Sequence, residues 1–195
     1  MTARLRSLVF AVTLLAVAFT PGAVRAQTAI PGPCAPDVLP SGARSLTCVP
    51  EVGWNGELVI FAHGYVAAGL PLDFYNLTLP DGTFIPAIVQ ALGYAFATTS
   101  YRQNGLAILE GVDDVYQLAD AFAEAWSAPV KTHLAGAPEG GLVVALLAER
   151  APDRFTSALG LCGPIGSFTA QVDYIGDFRV LFDYFFPGVI PGPAF

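Results

Sequence analysis

Few residues in this chain can do chemistry. There are two histidines, His63 and His133, and three cysteines, Cys34, Cys48 and Cys162. The stretch with the form of a reactive turn is Leu134-Ala135-Gly136-Ala137-Pro138-Glu139-Gly140-Gly141-Leu142. It follows a strand-like run and opens a helix-like one. In a G-x-S-x-G turn between a strand and a helix, the serine is strained and its hydroxyl projects for attack on an acyl carbon. Here the glycines are present as Gly136 and Gly140, but position 138 is proline. Proline has no hydroxyl, and its ring holds φ near about −65°. Ala137-Pro138-Glu139 therefore reads as a plain helix start, where a missing N–H costs little. The turn is expected to relax from the strained form.

The remaining reactive groups read mostly as structural. His133 lies inside a strand and reads as a satisfied histidine rather than a base. Glu139 is either a lone carboxylate in a cleft or, more simply, a helix-start acid favoured by the macrodipole. Ser100 and Cys162 end strands near the same rim and could face a cleft, but neither has a histidine at an arguable spacing. Cys162 reads best as a buried small hydrophobe. Cys34 and Cys48 flank a segment rich in Pro and Gly and could pair in an oxidising compartment. No Cys/His spacing suggests a metal site, and no cofactor is implied.

The elements that must position these groups follow from hydrophobic pattern. Residues 27–56 carry many prolines and glycines and are expected to be mostly loop, with a short strand at Ser45–Val49. Glu57–Ala62 is an apolar run that fits a strand buried on both faces, and it leads into His63-Gly64-Tyr65. Residues 66–82 form a loop holding Asn76-Leu77-Thr78, a glycosylation sequon. Ile85, Ile88, Val89 and Leu92 recur at helical spacing, with Pro86 suited to the first turn. Tyr94–Ser100 is the next strand. A helix starts at Gly111 and buries Val112, Val115, Ala119, Phe122 and Trp126. Val130–Ala135, Gly141–Glu149 and Thr156–Cys162 continue as strand, helix and strand. Alternation of this kind gives an α/β fold, with a mainly parallel sheet and helices on both faces. From Ser167 an aromatic-rich tail begins. Without cover from that tail, the uncharged strand at Thr156–Cys162 is an edge open to self-association.

Residues 57–168 resemble the N-terminal half of an α/β-hydrolase, in its serine esterase, lipase and peptidase lineage. Two motifs carry the resemblance: His63-Gly64 after a buried strand, and Gly136-Ala137-Pro138-Glu139-Gly140-Gly141. The first is similar to the superfamily's oxyanion loop, the second to its nucleophile elbow. The resemblance implies that Pro138 stands at the nucleophile position. It implies oxyanion donors from the N–H of Glu139 and from the His63, Gly64 and Tyr65 loop. It also implies a catalytic acid and histidine after the elbow. Asp173, Asp177 and Asp183 follow it, but both histidines precede it. No Ser-His-Asp relay is expected from one such chain. The tail looks like the start of a cap.

Composition sets the remaining bounds. The 195 residues are 54% hydrophobic and 13% charged, which favours a buried core over disorder. Arg4 and Arg6, the apolar run Leu8–Phe19 and Val24-Arg25-Ala26 read as a signal peptide cleaved after Ala26. Export to the periplasm or beyond the cell is then expected, with no later membrane span. Cleavage removes Arg4, Arg6 and Arg25 and leaves 6 basic against 16 acidic residues, a net charge of −10. No basic cluster survives, so nucleic-acid binding is not expected. The expected organisation is a leader (1–26), a partial hydrolase-like core (27–168) and an aromatic tail (169–195). The expected function is that of an exported, esterase-type α/β-hydrolase relative, incomplete at its C-terminus and catalytically silent at Pro138. The alternatives are a module that binds a hydrophobic ester or acyl molecule, and a fragment of an active hydrolase.

Overall fold

A computed structural model describes residues 29–192. The expected leader lies outside the described residues. Among those described, six strands form one sheet. They are β1 (Cys34–Val38), β2 (Arg44–Cys48), β3 (Glu57–Ala62), β4 (Ala95–Thr99), β5 (Lys131–Gly136) and β6 (Ser157–Gly160), in the order β1-β2-β4-β3-β5-β6. Strands β4, β3, β5 and β6 run parallel, and β1 and β2 add antiparallel at the β4 side. The helices are α1 (Ile85–Ala91), α2 (Ile108–Ala125), α3 (Glu139–Arg150) and α4 (Phe168–Phe185). The architecture is the expected α/β one, a mostly parallel sheet with helices on both faces.

Helices α2 and α3 cover one face. Leu58, Ile60 and Leu134 of the sheet pack there with Val115, Phe122, Val143 and Leu147. Helix α1 covers part of the other face, where Phe96, Cys48 and Leu77 gather half-buried Phe61, Ile85 and Val89. Every residue of β4 is buried. Strand β3 instead alternates, fully buried at Leu58, Ile60 and Ala62 and half-buried at Glu57, Val59 and Phe61. The expectation that β3 is buried on both faces is corrected, because α1 shields only the β4 side of that face.

Two further expectations change, and one gains detail. Most of the described residues in 27–56 are loop, as expected, and the short strand expected at Ser45–Val49 is β2; the addition is β1, which pairs with it as a hairpin, with Cys34 directly opposite Cys48. A disulfide joins the two, at a Cα–Cα distance of 4.1 Å. Strand β1 contains Pro36, which an edge strand tolerates because its missing N–H interrupts no inner ladder. In α1 the apolar stripe is only half used: Ile88 is 41% and Leu92 69% exposed, while Pro86 and Gln90 are buried. The Gln90 side chain accepts a hydrogen bond from the Gly32 N–H at 2.8 Å, which satisfies its oxygen inside. In α2, which starts at Ile108, Val112, Val115, Ala119 and Phe122 are buried as expected, but Trp126 lies beyond the helix end and is exposed.

Strand β6 forms the sheet edge, and all four of its residues are exposed. The aromatic tail folds as α4, but none of its residues is buried. It therefore does not cover the β6 edge.

Candidate functional site

Strand β5 ends at Gly136 and α3 begins at Glu139, so the turn consists of Ala137 and Pro138. Pro138 has φ −70° and ψ −43°, right-handed helical values, and its carbonyl accepts the Gly141 N–H at 3.0 Å. The turn is relaxed, as the proline ring requires. Its close neighbour is the His63-Gly64 loop. A Cβ on Gly64 would stand 2.6 Å from Pro138 Cδ and 2.7 Å from the Ala137 carbonyl oxygen. Glycine is needed there because two backbone segments and a ring meet at that point.

His63 is buried behind this contact. Its Nδ1 donates to the Gly64 carbonyl at 2.6 Å, and its ring stacks on Tyr101 at 4.0 Å between centroids. The Tyr101 hydroxyl donates to the His63 carbonyl at 3.2 Å. Among the described residues, Nε2 of His63 has no hydrogen-bond partner. Loss of solvent holds the imidazole below its usual range, against the pull of the Gly64 and Ser100 carbonyls. Tyr101 is buried with φ at 54°. Burial, and then the negative charges of Glu139 and Asp114, push its phenol above the ordinary range.

Glu139 is the first residue of α3, the helix-start position expected of it, and its side chain turns inward. It is 5% exposed, and its Oε1 accepts the Ala107 N–H at 2.7 Å. Oε2 is buried and has no hydrogen-bond partner among the described residues. Desolvation raises the carboxyl above its usual range, with the Ala107 N–H opposing the shift. Tyr65, by contrast, is 58% exposed. The structure thus brings His63, Gly64, Pro138 and Glu139 to one end of the sheet, while Tyr65 faces out.

The other candidates fall elsewhere. Ser100 is fully buried and does not face a cleft. Its Oγ donates to the Tyr101 carbonyl and accepts the Arg44 N–H, at 2.8 and 3.0 Å. Cys162 is not a buried hydrophobe: it is exposed, with φ at 54°, just past the open β6 edge. Asp173, Asp177 and Asp183 lie on α4, where Asp183 pairs with Arg179 at 2.7 Å. Tyr101 and Ala107, which hold His63 and Glu139 in place, carried no signal in the sequence.

His133 is bonded through both ring nitrogens. Nδ1 lies 2.8 Å from Ser157 Oγ and Nε2 lies 2.9 Å from Glu57 Oε2. Both ring nitrogens are satisfied, as expected of His133. The expectation of no Ser-His-Asp relay concerned the elbow with partners later in the chain, and this group lies apart from it. The sheet instead aligns three neighbouring strands so that Glu57, His133 and Ser157 meet. They meet about 10 Å back along β5 from Gly136, three residues at ~3.3 Å each. The alternation of β5 and the position of β6 beside it were the signals that could have revealed this.

Comparison of the sequence with protein-family models and with curated proteins finds no match. The structure is similar to solved structures of acylaminoacyl peptidases and esterases. Against Pyrococcus horikoshii acylaminoacyl peptidase the TM-score is 0.51 at 15% identity, over 71% of this chain and 24% of that one. Against a hyperthermophilic esterase from Pyrobaculum calidifontis it is 0.52 at 19% identity, over 76% and 52%. Against a Pyrococcus furiosus esterase it is 0.51 at 13% identity, over 80% and 56%. The chain thus spans from a quarter to little over half of these structures' lengths. At such identities the likeness concerns the fold.

Proposed function

From the premise of an α/β-hydrolase fold of which this chain carries part, we propose an exported protein of esterase or peptidase lineage whose elbow is catalytically silent. One observation carries the reading. At the end of β5, where the fold sets its nucleophile, stands Pro138 in a helical conformation with Gly64 against its ring. Acyl transfer needs an attacking atom that lone-pair donation can activate, and a pyrrolidine ring supplies none. This holds whatever residues outside the chain might add, because no imidazole can activate a hydroxyl that is not there. The basic, apolar and small-residue order of residues 1–26 supports export, as does the Cys34–Cys48 disulfide. An acyl-binding role has weaker support, since the ground between His63-Gly64 and Glu139 is occupied by the Pro138 ring and by buried side chains.

Pro138→Ser tests the reading. The only imidazole at that end of the sheet, His63, spends Nδ1 on the Gly64 carbonyl and is stacked beneath Tyr101. The variant is expected to hydrolyse short acyl esters no faster than the native chain, measured as initial rate against enzyme concentration. A clear gain in turnover would show that an imidazole does reach the restored hydroxyl; a fluorophosphonate adduct within residues 134–142 of the native chain would sink the proposal.

A further inference from the structure

We propose that Ser157 is a nucleophile in its own right, with His133 as its general base and Glu57 as the carboxylate that orients the ring, and that it accepts acyl groups from small apolar activated esters. The site is distinct from the elbow and does not depend on it.

The register of the sheet builds the group. His133 of β5 lies directly opposite Ser157 of β6, and Glu57 of β3 opposite Lys131 of β5. Residues two apart on a strand share a face, so Lys131, His133 and their partners all project to the same side. It is the side that α2 and α3 leave uncovered.

The chemistry of the partners fixes the protons. A carboxylate oxygen can only accept, so Nε2 of His133 carries the hydrogen toward Glu57 Oε2 at 2.9 Å. Nδ1 of the neutral ring then offers a lone pair, and the Ser157 hydroxyl, 2.8 Å away, donates to it. Hydroxyl to imidazole to carboxylate is the order general-base activation needs. Lys131 Nζ holds the second Glu57 oxygen at 3.0 Å and the Tyr94 ring stands edge-on to the imidazole, so acid and ring are both fixed. The contacts with His133 and then Lys131 keep the Glu57 carboxyl below its usual range, which favours its acceptor form. Ser157 is exposed, so an electrophile can reach it.

In the proposed step Ser157 Oγ attacks the ester carbonyl as its proton passes to His133 Nδ1. The carbon–oxygen bond to the leaving alcohol breaks, and that alcohol takes the proton from Nδ1. Water, deprotonated by the same nitrogen, then hydrolyses the acyl-serine and restores the hydroxyl. The next residues on this face are Val59, Ala135 and Leu159, the last 57% exposed. This apolar strip beside the nucleophile favours short uncharged acyl groups.

The full chain, with its disulfide intact, is treated with a fluorophosphonate and separately with p-nitrophenyl acetate, and adducts are located by peptide mass mapping. The expected result is one adduct, on Ser157, absent in Ser157→Ala. His133→Gln is expected to slow labelling about a hundredfold, the scale of general-base assistance. Glu57→Gln, whose amide oxygen can still accept from Nε2 but carries no charge to steady the imidazolium, should slow it by a smaller factor. Absence of a Ser157 adduct in the native chain overturns the proposal. So does turnover of p-nitrophenyl acetate by Ser157→Ala at the native rate. An adduct within 134–142 would instead count against the silent elbow.

Discussion

Two buried ionisable side chains beside Pro138 give stability opposite slopes with pH. His63 is held neutral by burial, so the folded state resists its protonation. The unfolded chain takes up that proton below about 6.5, and stability present above that pH is lost as the pH falls. Glu139 works the other way. Its folded carboxyl holds its proton above the ordinary value of 4.5, so the stability it contributes is full below that pH and is lost as the pH rises through the raised value. Glu139→Gln isolates the second effect, because the amide is neutral at every pH and its oxygen can still accept the Ala107 N–H. Urea midpoints for the variant and the native chain are expected to diverge in the variant's favour as pH is raised from about 4.5 toward 7. A difference that stays constant over that range would mean that the carboxyl is not shifted by its burial. The sequence showed Glu139 at a helix start, but not that the helix start faces inward. That orientation depends on Ala107, 32 positions away, and no local pattern encodes it.

At the scale of elements, the turn is held by the crossing of β5 and α3 over β3. Gly140 is the tightest point: a Cβ there would fall on the Ala62 carbonyl, which is backbone and cannot swing aside. Gly140→Ala is expected to destabilise the fold by about 1–3 kcal/mol or more, as overpacking does. Gly69→Ala, where a Cβ meets nothing within 4 Å, should change stability by less than about 0.5 kcal/mol. Equal urea midpoints for the two variants would refute the tight crossing. Much of this crossing was legible in the sequence, because Gly136, Gly140 and Gly141 sit between an apolar run and a helical one, and the alternation of strands and helices gave the sheet its sense. The hairpin of β1 and β2 was obscured because Pro36 and the surrounding glycines imitate a loop, and only pairing with β4 shows that they lie at an edge. Ser157, His133 and Glu57 stayed hidden for a different reason. They are scattered over 100 positions, and only the register of three parallel strands brings them together.

Over the whole molecule, much of the exposed apolar surface belongs to β6, the segment just after it and α4. Strand β6 is an uncharged edge with Leu159 and Leu161 exposed, and α4 presents Tyr174, Ile175, Phe178, Leu181 and Phe185 without burying any of them. Exposed strand edges and large apolar patches both favour association. Charge opposes it: the full chain carries a net −7, and copies repel. Repulsion between exposed charges fades as the Debye length shrinks, to about 10 Å at 0.1 M salt and 3 Å at 1 M, whereas burial of apolar surface does not weaken. The chain is therefore expected to self-associate more strongly as salt is raised, read as a rising weight-average mass in sedimentation equilibrium. Leu159→Lys should reverse much of that rise, since a lysine on an edge strand would have to lose its hydration to pair. A native chain that stays monomeric at high salt would show that this surface does not bind copies of itself. If association is seen and Leu159→Lys leaves it unchanged, α4 rather than the β6 edge forms the contact, and Phe178→Asp should then reduce it.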